Sequence, residues 1–257
     1  IREDSLVENP ATFEWLALKK NYPSHVHAGR YKIENGMSNN ALVELLRSGR
    51  QEPVDLIFNN IRTIPELAGK VAGQLEADSA RLVTLLRDNS FLRQFNMNRQ
   101  DAPALFIPNT YEFWWDTRAE GFIERMHREY QQFWEGERRA SARRMNMTPV
   151  EATTLASIVD EETIHDDEMP KIAGVYVNRL ERGMRLQADP TIKYAVGDFT
   201  INRVLKKHLQ IDSPYNTYQN AGLPPGPISI PSIAAIDAVL HHSQHSYLYF
   251  AAKPDFS

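Results

Sequence analysis

The sequence predicts an α+β protein in which a small mixed module precedes a larger mixed α/β domain. The prediction rests on a length of 257 residues, on stretches whose leucines recur at helical spacing, and on short apolar runs typical of strands. At roughly 150 residues per domain, this length favours two domains. Hydrophobic residues make up 42% of the chain, which is enough to bury a sizeable core.

The composition excludes several classes of protein. A net charge of −4 at pH 7 offers no general attraction to a polyanion, so we expect no nucleic-acid partner. The absence of cysteine excludes disulfides and thiolate nucleophiles. No apolar run reaches the roughly 18–20 residues that span a bilayer. Because the chain starts without methionine and stops after an apolar run, we expect an anchor or tail outside the printed sequence.

The first module is predicted to contain two helices and one strand. Residues 9–20, "NPATFEWLALKK", predict a helix, residues 28–36, "AGRYKIENG", a short strand, and residues 37–50 a second helix. In the second helix Ser38 or Asn39 can cap the N-terminus, and Gly49 stands where a glycine commonly follows a helix end.

The larger domain begins with a predicted strand, "VDLIFNN", at residues 54–60. Residues 63–75 and 78–88 have helical spacing, with Thr63 and Asp78 as N-caps. Residues 104–117 gather five aromatic side chains, for which two interpretations stay open: a hydrophobic latch between layers, or a stacking surface for sugar rings. Residues 119–144 predict one long helix whose basic end is a solvated face.

The acidic stretch "LASIVDEET", residues 155–163, contains the candidate catalytic residue. Residues 148–151, "TPVE", have the form of a capping box with proline at the first helical position, so a helix should begin there. At about 100° per residue, Leu155 and Glu162 share the apolar face of that helix. Burial disfavours a charged glutamate and raises its pKa, as a general acid requires.

Alternative roles remain for these acids. Glu162 could be structural, paired with an arginine such as Arg179 or bonded to loop backbone. The same helical phase turns Asp160 and Glu161 away from Glu162 and into water, so their neutral substitutions should be mild. Asp166, Asp167 and Glu168 are expected to cap the next helix, which covers residues 169–183.

Candidate ligand-binding residues follow in two segments. Gln187 and Asp189 lie beside a proline, and Tyr215, Asn216 and Tyr218 belong to residues 213–232, a loop rich in proline, glycine and amides. Such a loop suits an extended polar ligand such as a sugar chain, or it covers a sheet edge. The alternation in "SYLYFAAK", residues 246–253, predicts a strand that joins the sheet. His241, His242 and His245 lack a carboxylate motif, so no metal site is predicted.

Four of these segments, "LASIVDEET", "VYVNRLERGMRLQADPTIKYAVG", "SPYNTYQNAGLPPGPISIPS" and "YLYFAAK", resemble in order and spacing the YceG-like endolytic murein transglycosylases of bacteria. The strong resemblance covers residues 148–253, and a weaker one extends back through residues 106–115 to 28–49. The resemblance implies a LysM-like module in residues 1–52, lacking its first strand, and a transglycosylase domain in residues 53–257.

The resemblance also implies roles for individual residues. It places the catalytic glutamate at Glu162, which helical phase also selects. Asp160 and Glu161 stand where the family has glutamate and lysine, which makes this site more acidic. Residues 215–227 are expected to wall the glycan groove, and the residues that would line it are Gln187, Asp189, Tyr215, Asn216 and Tyr218.

The implied activity is cleavage of the β-1,4 bond between N-acetylmuramic acid and N-acetylglucosamine in nascent, uncrosslinked peptidoglycan, which leaves a 1,6-anhydro end and limits strand length. One carboxyl group, without cofactor or metal, would serve as acid and then as base. Family members usually have an N-terminal membrane helix, which implies the extracytoplasmic face of the plasma membrane and cell-wall synthesis proteins as candidate partners. Two alternatives are a water-using muramidase with Asp189 as second carboxylate, and a non-catalytic peptidoglycan-binding scaffold.

Overall fold

The computed structural model of the chain describes residues 7–251, which fold into a mainly helical α+β structure with a two-stranded sheet. The helices are α1 (Pro10–Lys19), α2 (Asn39–Ser48), α3 (Ile64–Ala72), α4 (Ser79–Arg87), α5 (Asn89–Leu92), α6 (Ala119–Phe133), α7 (Glu137–Arg144), α8 (Pro149–Asp160), α9 (Met169–Glu181), α10 (Asp189–Val196) and α11 (Ile233–Leu240); the strands are β1 (Val54–Phe58) and β2 (Asn109–Phe113). The α+β fold class is confirmed. No helix within residues 7–251 combines the length and apolarity needed to cross a bilayer.

The sheet is one antiparallel ladder. β1 and β2 pair from Val54 opposite Phe113 to Phe58 opposite Asn109. Leu56 and Phe58 point into the core, whereas the intervening side chains are exposed, as alternation along a strand requires. Just beyond β1, Ile61 forms an isolated bridge with Ile230. This bridge ties the end of the loop 213–232 to the sheet.

Helix starts were predicted well because their signals are local. Ser38, Thr63 and Asp78 each accept a hydrogen bond from a backbone N–H in the first turn of α2, α3 and α4. Gly49 ends α2 with φ +66°, a left-handed conformation that glycine adopts without strain. At α8 both hydrogen bonds of the predicted capping box, between Thr148 and Glu151, are present.

Two predictions about extended and helical segments were wrong. The single helix expected over residues 119–144 is divided into α6 and α7, because Gly136 adopts φ +65° and ψ −125° between them. Residues 28–36 form no strand. Within the described chain their backbone has one long-range bond, from Glu52 N–H to the Arg30 carbonyl, and no partner strand.

The strand expected at residues 246–253 was also wrong, and its last two residues lie outside the described residues. Residues 243–250, here called the C-terminal segment, instead run along α9. The side-chain amide of Asn178 donates to the carbonyls of His245 and Tyr247, and Arg179 Nε donates to the Leu248 carbonyl at 2.7 Å. Side chains of α9 therefore satisfy backbone groups that would otherwise pair in a sheet.

Buried apolar side chains form two separate clusters. The larger one draws on residues from Val54 to Leu240. The smaller one joins α1 to α2 through Phe13, Ala17, Leu42 and Val43. The predicted boundary after residue 52 and the LysM-like character of residues 1–52 stay predictions, and residues 1–6 lie outside the described chain.

Helix α8 is central to the larger cluster. Every residue from Ala152 to Val159 is buried, and the helix packs against α9 and α11. The buried hydroxyls of Thr153, Thr154 and Ser157 donate to carbonyls one turn earlier, so they carry no unsatisfied hydrogen bond. The helix thus leaves the core at its C-terminal end, directly at the acidic residues 160–162.

Candidate active site

Glu162 lies just beyond the end of α8. The last helical residue is Asp160, and the Glu162 N–H donates to the Val159 carbonyl at 3.1 Å, which tightens the final turn. The expectation that Glu162 sits on the helical stripe of Leu155 is therefore wrong in its geometry. The side chain is nevertheless half-buried, because the tightened turn directs it back over α9.

Tyr176 of α9 is the direct partner of Glu162. Its hydroxyl donates a hydrogen bond to Glu162 Oε1 at 2.6 Å. The alternative pairing with Arg179 is not formed, since the Arg179 guanidinium donates to the carbonyls of Leu186 and Leu248. Nor does loop backbone bond to this carboxyl among the described residues.

The environment of Glu162 favours its neutral form. Burial raises its pKa above the ordinary glutamate value, and the negative charge of Asp189 raises it further. The hydrogen bond from Tyr176 and the positive charges of Lys193 and Arg179 lower the pKa without cancelling the effect of burial. A protonated carboxyl close to neutral pH is the requirement for a general acid.

Glu162 opens onto a cleft of about 1180 Å³, which we call the catalytic cleft. Its lining comes from three parts of the chain: residues between 60 and 66 after β1, residues between 160 and 168 at and beyond the end of α8, and a third set made of Lys193, Phe199 and Ser229–Ile230. Residues 215–227, which we expected to wall the groove, do not line this cleft, although Tyr218 of that stretch interacts electrostatically with Glu162. The Ile61–Ile230 bridge brings the later residues 229 and 230 there instead.

Two of the predicted ligand-binding residues lie next to Glu162. The Tyr218 hydroxyl donates to Asp189 Oδ1 at 2.6 Å, and both residues interact electrostatically with Glu162. Asp189 is exposed as the first residue of α10. Gln187, two residues earlier, is exposed with φ +50°, and its N–H is held by the Thr217 carbonyl. These residues extend the polar surface beyond the catalytic cleft.

The other two predicted residues, Asn216 and Tyr215, differ in their surroundings. Asn216 is fully buried, and its amide donates to the carbonyls of Leu209 and Ile211. The expectation that Asn216 lines the groove is therefore wrong, because its side chain is used to fold the loop. Tyr215 is half-buried against Tyr194, with ring centroids 4.6 Å apart.

The two acids before Glu162 have partners that the sequence did not indicate. Asp160 was expected in water, but it accepts hydrogen bonds from the hydroxyl of Ser232 at 2.5 Å and from its N–H at 3.3 Å, and burial raises its pKa. Ser232 in turn caps α11. Glu161 forms an ion pair with Arg62 at 3.2 Å across the cleft. Asp166, Asp167 and Glu168 were expected to cap α9, but Glu168 occupies the N-cap position and its side chain makes no capping bond.

Sequence reasoning missed Tyr176 and Lys193. Tyr176 belongs to the apolar stripe of α9, where a buried tyrosine needs a partner for its hydroxyl, and that signal was available. Lys193 gave no local signal, because its position depends on how α10 packs. The histidines considered for a metal make other contacts: His241 and His242 place Nδ1 against carbonyls of α11.

The chain is similar to known proteins over nearly its whole length. A model of the YceG-like family matches residues 1–257. The chain is 30% identical over 269 residues to the endolytic murein transglycosylase of Bacillus subtilis (strain 168), covering 98% of this chain and 74% of that protein. It is also 30% identical over 287 residues to the endolytic murein transglycosylase of Streptococcus pneumoniae serotype 2 (strain D39), covering 98% of this chain and 51% of that protein.

A solved structure is similar as well. The 2.6 Å crystal structure of a YceG-like protein from Listeria monocytogenes superposes with a TM-score of 0.70 at 29% identity. The superposition covers 95% of this chain and 85% of that one.

Proposed function

The chain belongs to the YceG-like family, and from this membership we propose that it is an endolytic lytic transglycosylase that cleaves peptidoglycan glycan strands. The observation that carries the proposal is Glu162, a half-buried carboxyl with a raised pKa that opens onto a large cleft. Because relatives of this chain are named for action on murein, we expect it at the cell envelope. The family resemblance of its sequence extends this proposal to the extracytoplasmic face of the plasma membrane.

Glu162 would perform both proton transfers. Tyr176 occupies Oε1, so the proton for the first step resides on Oε2, which has no hydrogen-bond partner among the described residues. Glu162 gives this proton to the glycosidic oxygen as the bond from C1 of N-acetylmuramic acid breaks. The C6 hydroxyl oxygen of the same sugar then bonds to C1, and its proton returns to Glu162. The ring closes without water, and the carboxyl is regenerated.

The surroundings support a carboxyl that changes charge during the reaction. Burial favours the protonated form needed in the first step, whereas Tyr176 and Lys193 stabilise the carboxylate that follows. The residues that would contact the sugar chain next to the catalytic cleft are Asp189, Tyr218, Gln187 and Tyr215. Asn216 would support them by holding their loop.

Product analysis tests the proposal. Purified, uncrosslinked glycan strands are incubated with the protein, and the released ends are identified by mass spectrometry. We expect internal cuts and 1,6-anhydro ends, lighter by one water than reducing ends. Reducing ends would instead indicate a muramidase that uses water, with Asp189 as second carboxylate. Strand binding without any cleavage would indicate a scaffold, and either result would overturn the proposal.

A further inference from the structure

The aromatic run at residues 111–115 divides between the core and the surface. Tyr111 and Phe113 are buried, as a latch between layers requires. Trp114 and Trp115 follow them and are 53% and 37% exposed. A latch between layers therefore explains Tyr111 and Phe113. It does not explain the exposure of Trp114, because exposing a large aromatic surface to water is unfavourable.

Trp114 borders a cleft of about 510 Å³, which we call the Trp114 cleft. It lies at the Val54–Phe113 end of the β1–β2 ladder, where Pro53 forms one edge. The opposite side comes from α6, with Arg125 and Arg128. Gly121 leaves that side open, because even a methyl group added at this position would meet no atom closer than Thr117 Cγ2, at 3.8 Å.

Positively charged, negatively charged and neutral polar side chains surround Trp114. Arg128 is exposed and has no ion pair among the described residues, whereas Arg125 pairs with Glu129 at 2.6 Å. Glu112 and Thr117 supply acceptor oxygens on the facing side. Positive and negative groups are balanced, which disfavours a polyanion. A sugar ring, with an apolar face for the indole and hydroxyl and amide groups for the polar rim, matches this arrangement.

The position of the Trp114 cleft suits a polymer. β1 spans four residue steps, about 13 Å at roughly 3.3 Å per residue, and the catalytic cleft begins beyond its far end at Asn60. This separation is short compared with a long glycan strand, so in our proposal one strand reaches both sites. The second contact is then intramolecular, which raises the overall affinity without new chemistry.

We propose that the Trp114 cleft is a second glycan-binding site, which holds a strand of β-1,4-linked amino sugars while another part of the strand occupies the catalytic cleft. The identity of the sugars rests on the proposed function; the presence of a saccharide site rests on the cleft itself. Trp114 stacks on a sugar ring, and Arg128 and Glu112 bond to its polar groups.

Binding measurements test this site independently of cleavage. In a Glu162→Gln background, calorimetry measures binding of long glycan strands and of short β-1,4-N-acetylglucosamine oligosaccharides. We expect Trp114→Ala to weaken long-strand binding at least tenfold, as loss of one of two linked contacts requires. Trp115→Ala is the matched control, since this neighbouring exposed tryptophan does not line the cleft, and it should change affinity less than about twofold.

Kinetics give a second readout. In the active protein Trp114→Ala should raise KM for long strands while kcat is retained, because the residue touches no reacting atom. Unchanged long-strand affinity for Trp114→Ala, or an equal loss for Trp115→Ala, would overturn the site even if the protein cleaves peptidoglycan. Conversely, saccharide binding that needs Trp114, in a protein that cleaves nothing, would retain the site and refute the proposed function.

Discussion

The two clefts at opposite ends of the β1–β2 ladder differ in what surrounds their polar groups. In the catalytic cleft, Glu162 is half-buried and burial raises its pKa. In the Trp114 cleft, Arg128 is exposed and remains hydrated. Burial of a carboxyl group such as Glu162 shifts its pKa, which suits acid-base catalysis. An exposed tryptophan ring and guanidinium group suit reversible binding of a ligand. In our proposal, the cleft with the half-buried carboxyl carries out the reaction, and the exposed Trp114 cleft binds the strand.

The clefts also differ in how the chain builds them. The Trp114 cleft comes mainly from β2 and α6, which are adjacent in sequence. The catalytic cleft requires residues near positions 60, 162, 193 and 230 to meet. The second arrangement depends on tertiary packing, so substitutions at a distance from Glu162 can alter it.

The largest effect is expected from substitution of Glu162, which should remove catalysis and leave strand binding in place. Glu162→Gln should reduce cleavage by the upper end of the roughly 10²–10⁴-fold that acid-base catalysis supplies, because the amide can neither give nor take the proton. Strand binding should persist through the remaining contacts. The measurement is anhydro-product formation together with strand affinity on one sample.

Stability provides the control for this variant. The raised pKa of Glu162 means that the folded protein holds this proton more tightly than the unfolded chain does. The free energy of unfolding of the wild type therefore decreases as pH rises from the ordinary glutamate pKa through the folded-state pKa. The Glu162→Gln variant should not show this decrease, because glutamine does not titrate. At neutral pH the variant should unfold at an equal or higher temperature. Near-normal turnover by the folded variant would show that Glu162 is structural.

Tyr176→Phe should have the second-largest effect. It removes the 2.6 Å hydrogen bond to Glu162 Oε1 without a large change in volume. Hydrogen bonds to charged groups contribute roughly 1.5–3 kcal/mol, so we expect kcat to fall about tenfold or more in the step that needs the carboxylate. The pKa of Glu162 should rise, which moves the alkaline limb of the kcat/KM profile to higher pH. A lower kcat with an unmoved limb would argue against this role.

Local signals account for the elements that could be predicted. The caps of α2, α3, α4 and α8 depend on residues within four positions of each other, and all were found from sequence. The strand at residues 246–253 failed because alternation describes one segment, whereas a strand also needs a partner. Here α9 provided side-chain bonds instead.

The candidate site shows the same limit. Glu162 could be selected from sequence because its neighbours in α8 are apolar, although the helix ends two residues before it. Its partner Tyr176 is 14 positions away, and Ser232 is 72 positions from Asp160. Periodicity carries no information about such contacts. Asn216 illustrates the reverse error, in which a loop amide expected to face a ligand folds its own loop.

Asp160→Ala and Glu161→Ala should differ although the residues are adjacent. Asp160 holds Ser232, which caps α11 and follows the cleft residues 229 and 230. Its loss should destabilise the fold by roughly 1–3 kcal/mol, with a drop of about 2–4 °C in Tm per kcal/mol. Glu161 forms a more exposed ion pair with Arg62, expected to contribute about 0–1 kcal/mol. Equal unfolding temperatures for the two variants would contradict this contrast.

Substitution of Lys193 should have the smallest effect on rate, and its specific signature is a shift of the alkaline limb of kcat/KM. The lysine lines the catalytic cleft, and its positive charge lowers the pKa of Glu162 against the larger effect of burial. Among the described residues its ammonium group has no hydrogen bond or ion pair, so it acts on Glu162 through a distance rather than through contact. Lys193→Met should therefore raise the pKa of Glu162 and move the alkaline limb of kcat/KM upward, by less than Tyr176→Phe does. At neutral pH the change in rate should stay within a few-fold.

Ionic strength distinguishes this charge effect from a contact with substrate. The Debye length is about 8 Å at 0.15 M salt and about 3 Å at 1 M, so the difference in limb position between wild type and Lys193→Met should shrink in high salt. Lys193→Arg keeps the charge and should keep the limb where it is. A different result would contradict this role: Lys193→Arg lowers kcat as much as Lys193→Met does, and the alkaline limb stays in place in both variants. The ammonium group would then have to contact the strand itself. Stabilisation of the Glu162 carboxylate in the second step would depend on Tyr176 alone.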